Sequence, residues 1–89
     1  MAEELKQRDL LVEKLARLFP TPQEASFIVQ DAGGRAFELV HYGESPYRMW
    51  QIIVVAVENG AIRKCDFREA VQRREVKPTT EQFDALGWV

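Results

Sequence analysis

The sequence has one cysteine and one histidine, Cys65 and His41, and these low counts exclude several classes of protein. A single cysteine cannot form an internal disulfide and is typical of a chain in a reducing cytoplasm. One Cys and one His cannot supply the ligands of a Cys/His zinc site, and we expect neither a metal nor another cofactor. Cys65 lies in a helical pattern without glycine-rich neighbours, which argues against a nucleophilic Cys–His pair. We therefore expect no enzymatic activity.

Long apolar runs and phosphate-binding loops are also missing. The most apolar stretch, Met49–Val57, has nine residues of which only Gln51 is polar, whereas a membrane-spanning helix takes about 20. The first 19 residues are too highly charged for a signal peptide. Gly33-Gly34 is too short for a phosphate loop and does not follow a strand. We expect a cytoplasmic protein that has no membrane partner.

The residues that are present describe one small globular domain. The chain has 89 residues, of which 46% are hydrophobic and 29% charged, and we assign residues 1–89 to a single domain. Apolar residues at three- and four-residue spacing predict a first helix over 3–18. Thr21 and Glu24 have the spacing of a capping box for a second helix, which Gly33 or Gly34 closes.

The apolar stretch is predicted to be a buried helix over about 46–59. Ser45 and Pro46 are typical of a helix start, and Asn59-Gly60 of a helix end. About fourteen residues between these signals are too many for an ordinary strand. A helix that is apolar almost all round is one that other elements surround. The sequence therefore predicts an all-α bundle of five to six short helices packed around this central helix.

The remaining segments are less clearly marked. Residues 35–42 fit either a strand or a short helix, and we favour the helix because a lone strand would have no partner. Residues 61–74 predict a further helix, and Pro78 ends that section. Thr79 or Thr80 is predicted to cap a last short helix.

The charges are unevenly distributed. Residues 1–62 hold six basic and nine acidic side chains, a net charge of −3, whereas residues 63–77 hold six basic and three acidic ones, a net charge of +3. We call the outward-facing cations of the second segment the basic band: Arg63, Lys64, Arg68, Arg73 and Arg74. The acidic candidates elsewhere that we single out as a possible complement are Glu38, Glu44 and Glu58.

The basic band has three possible explanations. It could meet an acidic surface on another copy, giving head-to-tail association. It could bind nucleic acid through the 63–74 helix, but the chain is acidic overall and the band lacks residues that read base edges, except Gln72. It could also be a charged face that only confers solubility. We favour a protein-binding surface and consider nucleic acid an unlikely partner.

Two segments, LLVEKLARLFPTPQEASFIVQDAG and YGESPYRMWQIIVVAVENGAIRKCDFREAV, resemble the effector-associated domain, type 1, of bacterial conflict systems. The resemblance covers roughly residues 10–78. It rests on an ordered series rather than on one motif: Phe19-Pro20-Thr21, Ala32-Gly33, Gly43-Glu44-Ser45-Pro46, Trp50, Ala56, Asn59-Gly60 and Ile62.

This resemblance implies a death-like helical bundle with an adaptor function. Members of the family recruit other effector-associated domains, fused to proteases, nucleases or NTPases, through like-with-like contacts, and are not catalytic themselves. The family supplies no catalytic residues and no fixed interface motif. Two departures stand out: Cys65 lies where a larger aliphatic residue is expected, and the tail 79–89 has no match. Within that tail we expect Trp88 to be exposed.

Overall fold

The computed structural model of the chain describes residues 2–74 and 77–88, and side chains over 6–74 and 79–88. Within this part of the chain all regular secondary structure is helical, which confirms the predicted all-α bundle. The helices are α1 (Ala2–Leu18), α2 (Pro22–Asp31), α3 (Ala36–Leu39), α4 (Pro46–Glu58), α5 (Lys64–Gln72) and α6 (Lys77–Leu86). The short helix favoured over 35–42 is thus present as the single turn α3.

The predicted helix caps are formed. The Thr21 hydroxyl accepts the backbone N–H of Glu24 at 3.2 Å and donates to the Glu24 carboxylate at 3.0 Å. The Ser45 hydroxyl accepts the N–H of Arg48 at 3.3 Å and starts α4 in the same way. Gly33 closes α2 with a φ of 87°, a backbone conformation that side chains other than glycine rarely adopt.

Helix α4 lies in the middle of the bundle. Helix α4 packs mainly on α1 and makes smaller contacts with α2, α3 and α5. Helix α1 packs on α6 as well. Its fully or almost fully buried residues are Met49, Trp50, Ile53, Val54 and Val57. The burial is nevertheless one-sided, because Ile52 is only half-buried and Val55 is 37% exposed. The opposite side of α4 is therefore an open surface.

The predictions for the C-terminal third were wrong in detail. Helix α5 ends at Gln72, well before Pro78, and Pro78 is instead the second residue of α6. A proline is tolerated there because the first turn of a helix has N–H groups without intrahelical partners. Thr79 and Thr80 consequently lie inside α6 and do not act as its N-cap.

The expectation that Trp88 is exposed was also wrong. Gly87 has a φ of 76°, and the Trp88 N–H bonds back to the Phe83 carbonyl at 3.0 Å. This turn folds the chain back onto the bundle. The Trp88 ring is only 3% exposed and lies 6.0 Å from the Phe67 ring and 6.1 Å from the Phe83 ring. The C-terminal tail is therefore part of the core.

Candidate interaction surface

The start of the basic band lies in solvent. The Arg63 side chain is 81% exposed, and its closest carboxylate is that of Asp66, 3.8 Å away. Lys64 is also exposed, and its ammonium lies 6.0 Å from the centre of the Trp88 ring. These two cations can meet a partner without breaking a close ion pair.

Arg68 does not belong to an open basic surface. Its guanidinium lies 2.8 Å from the Asp84 carboxylate, donates to the Trp88 carbonyl at 2.9 Å and leaves only 18% of the side chain exposed. It also lies 5.9 Å from the centre of the Phe83 ring. The prediction that Arg68 faces outward was wrong. Its contacts tie α5 to α6 and to the C-terminal tail.

The last two cations of the basic band are paired with acids of the same molecule. Arg73 lies 2.7 Å from Glu69 one turn earlier, and both side chains are largely exposed. Arg74 lies 2.6 Å from Asp31, which joins the end of α5 to the end of α2. An incoming phosphate or carboxylate would have to compete with these internal carboxylates.

The three acidic candidates lie apart from one another along the chain. Glu58, at the end of α4, is half-buried and paired with Arg8 at 3.0 Å. Glu38 lies in α3 at 3.5 Å from Arg35. Glu44 is exposed in the α3–α4 loop and has no ion pair within the described side chains. The structure therefore does not gather the predicted charges into two free patches.

Sequence reasoning missed a set of exposed aromatic side chains. Phe27 is 50% exposed, Phe37 82%, Tyr42 70% and Tyr47 42%. For Phe27 the signal was present, because it falls outside the buried stripe of α2. That stripe consists of Ala25, Ile28, Val29 and Ala32. A search for aromatics off the buried stripe would have found this residue.

Phe27 lies on the outer side of α2, between two polar borders. On one border the Ser26 hydroxyl is 3.4 Å from the Tyr42 hydroxyl. On the other border lies the Asp31–Arg74 ion pair. We call this surface, centred on Phe27 and bordered by these contacts, the α2 face. It has the arrangement of an interface anchor, an aromatic residue inside a polar rim.

A second open surface lies on the outer side of α4. Arg48, Gln51, Ile52 and Val55 line a shallow depression of about 260 Å³. The Arg48 guanidinium donates to the Gln51 amide oxygen at 2.8 Å and makes no ion pair in the described part of the chain. We call this surface the α4 depression. Its floor is aliphatic and its rim carries one unpaired cation.

Comparison of the chain with models of protein families, with curated proteins and with solved structures finds no match. No helix among the described residues has both the length and the apolarity needed to cross a bilayer. In the same part of the chain, no three His, Cys, Asp or Glu side chains are grouped so that they could hold a metal ion.

Proposed function

We propose that the protein is a non-catalytic interaction domain that recruits or assembles effector proteins through homotypic domain–domain contacts. The observation that carries this proposal is the presence of exposed aromatic side chains on a bundle whose core is already complete without them. Phe27, Phe37 and Tyr42 are each at least half exposed. Aromatic residues are enriched at protein interfaces, where a few buried anchor residues carry most of the binding energy.

The exposure of Phe27 is not a consequence of poor packing. The other apolar positions of α2, from Ala25 to Ala32, are buried, and Ala25, Ile28 and Val29 have no exposed surface. The helix is thus anchored without the Phe27 ring, and burying that ring against a partner would remove apolar area from water. Burial of the Phe27 ring would therefore stabilise a complex with a partner.

Charge would contribute specificity and encounter rate rather than most of the affinity. Arg63, Lys64 and Glu44 are the members of the predicted charged set that remain exposed without a close ion pair in the described part of the chain. The other members are engaged in ion pairs within the same molecule. We therefore assign the binding energy to the aromatic side chains and the steering to the residual charges.

The place of this domain in bacterial immunity follows from the resemblance of residues 10–78 to effector-associated domains. The segments that carry the resemblance are structural signals in this chain, since Ser45 caps α4 and Trp50 is fully buried. The proposed partners are other copies of this domain or paralogous effector-associated domains fused to protease, nuclease or NTPase effectors.

Affinity capture tests this proposal. Immobilised protein is expected to retain a second, differently tagged copy, or a paralogous effector-associated domain of a neighbouring effector. The same immobilised protein is titrated with duplex DNA at increasing salt. If the immobilised protein retains neither a second copy nor a paralogue, and instead binds DNA with an affinity that falls steeply with salt, the adaptor function is wrong and the nucleic-acid function is supported.

A further inference from the structure

The α2 face and the α4 depression are of opposite shape. The α2 face presents one projecting ring, Phe27, and the α4 depression presents an aliphatic floor of Ile52 and Val55. The two surfaces share no residue, and each lies on the outer side of its helix. A projection and a depression at different places on one molecule cannot satisfy each other within that molecule. They can do so between copies.

The charges beside the two surfaces are complementary. Glu24 precedes Phe27 by three residues on α2, and Arg48 precedes Ile52 by four residues on α4. The Glu24 carboxylate makes no ion pair in the described part of the chain and accepts one hydrogen bond, from the Thr21 hydroxyl. The Arg48 guanidinium donates to the Gln51 amide oxygen and has no carboxylate partner among the described side chains. Each charge is therefore available to the other.

The spacing and pairing of the charged groups favour one orientation of the contact. At about 1.5 Å per residue, Glu24 lies about 4.5 Å from Phe27 along α2, and Arg48 about 6 Å from Ile52 along α4. If the helices of two copies run parallel, Phe27 covers Ile52 while Glu24 reaches Arg48. In the antiparallel arrangement the carboxylate that meets Arg48 would be that of Asp31, which is already paired with Arg74 at 2.6 Å. The parallel arrangement is favoured because the Glu24 carboxylate has no ion pair in the described part of the chain.

Two other exposed features, Phe37 and a depression beside Arg35 and Glu38, are less suited to this contact. Phe37 is more exposed than Phe27, but the carboxylate next to it on the chain, Glu38, is paired with Arg35 and is not free to bind Arg48. A second depression, of about 240 Å³, is lined in part by Arg35 and Glu38. Those two side chains lie 3.5 Å apart and balance each other's charge, so the rim offers no free cation to Glu24.

We propose that Phe27 of one copy inserts into the α4 depression of the next copy, with Glu24 bound to Arg48, so that copies associate head to tail. This inference rests on the proposed homotypic function and names the surfaces that perform it. Because the contact joins two different surfaces, an open assembly has an unused α2 face at one end and an unused α4 depression at the other. The assembly therefore grows into a ring or an open filament.

The experiment uses two variants that each damage one surface. Phe27→Ala removes the projection but keeps the depression, and Val55→Glu places a carboxylate in the depression but keeps Phe27. Each variant alone is expected to associate at least about tenfold more weakly than wild type in sedimentation velocity. An equimolar mixture is expected to form a species of two chains that does not grow, because one intact contact remains between the variants.

Charge reversal gives an independent test of the register. Glu24→Arg and Arg48→Glu are each expected to weaken association about tenfold, and the double variant E24R/R48E to recover most of that loss. Phe37→Ala is the control and is expected to associate like wild type. Circular dichroism and thermal unfolding confirm that each variant is folded.

The outcomes separate this inference from the proposed function. Wild-type association that survives both F27A and V55E would overturn the inference and leave the homotypic function standing. Association lost in both variants but not recovered in their mixture would overturn the head-to-tail geometry. A wild-type chain that remains a monomer and captures no effector-associated domain would contradict the proposed function itself.

Discussion

The indole Nε1–H of Trp50 donates a hydrogen bond to the backbone carbonyl of Phe19 at 2.8 Å, in a site where Trp50 has no exposed surface. The bond ties the first half of α4 to the residue that follows α1. The ring of Trp50 also lies 6.2 Å from Phe19 and 6.4 Å from Phe67, which in turn contacts Phe83 and Trp88. A row of rings therefore crosses the core from α1 to the C-terminal tail.

Replacing Trp50 should destabilise the protein strongly, because Trp50 contacts both Phe19 and Phe67 in this row of rings. Trp50→Ala is expected to lower the free energy of unfolding by about 3–5 kcal/mol, because a cavity opens and the Phe19 carbonyl loses its donor. Trp50→Phe keeps much of the ring volume and should cost less. Urea unfolding measures both. As a control, Phe37→Ala at an 82% exposed position should change stability by less than about 0.5 kcal/mol. Near-wild-type stability of W50A would contradict the central role of Trp50.

Arg68 should contribute more to stability than any exposed cation of the basic band. Arg68→Ala is expected to cost about 1–3 kcal/mol, because it removes the donor of the Trp88 carbonyl and the partner of Asp84. The control is Arg73→Ala, whose exposed pair with Glu69 should be worth about 0.5 kcal/mol or less. Thermal unfolding compares the two. Equal effects would mean that Arg68 is a surface residue, as the sequence alone predicted.

Gly34 should not accept a side chain. A Cβ there would lie 2.6 Å from Cδ1 of Ile62 and 2.9 Å from Cγ1 of Val29, both buried residues. Gly34→Ala is therefore expected to cost about 1–3 kcal/mol through overpacking. Ile62→Val deletes the closest atom, so the double variant G34A/I62V should be more stable than the sum of the single effects predicts. Strict additivity in chemical denaturation would refute this packing argument.

Thr79 should be replaceable with a gain in stability. Its hydroxyl is fully buried and has no hydrogen-bond partner among the described residues. Thr79→Val removes this unsatisfied group at similar shape and is expected to raise the free energy of unfolding by about 1 kcal/mol. The matched control is Thr80→Val, which should be destabilising because the Thr80 hydroxyl accepts from the Gln72 amide at 3.2 Å. If T79V is destabilising instead, the Thr79 hydroxyl is not an unsatisfied buried group.

The sequence predicted α1, α2 and α4 well because their signals are local. A capping hydroxyl at Thr21 or Ser45 and a glycine such as Gly33 act within one helical turn, and the spacing of apolar residues identifies the buried side. Pro78 was misinterpreted because a proline fits both the end of one helix and the first turn of the next. Only the fold distinguishes these two positions.

The charged residues were the least predictable part of the surface. Helical periodicity places Arg68 and Arg74 on a polar side of α5, but their partners come from distant positions, Asp84 and Asp31. Long-range pairs of this kind cannot be derived from spacing along the chain. Phe27, by contrast, lies off the buried stripe of its own helix. The helical periodicity that predicted α2 therefore also predicts that Phe27 is exposed.

The central claim is that the folded chain associates with its own kind, and sedimentation equilibrium tests it most directly. The wild-type protein is measured from micromolar to millimolar concentration, beside Phe27→Ala and Phe37→Ala. We expect a weight-average mass that rises above the 10.3 kDa of one chain for wild type and F37A, and that rises only at about tenfold higher concentration, or not at all, for F27A. A mass that remains at that of one chain for all three proteins would contradict homotypic association.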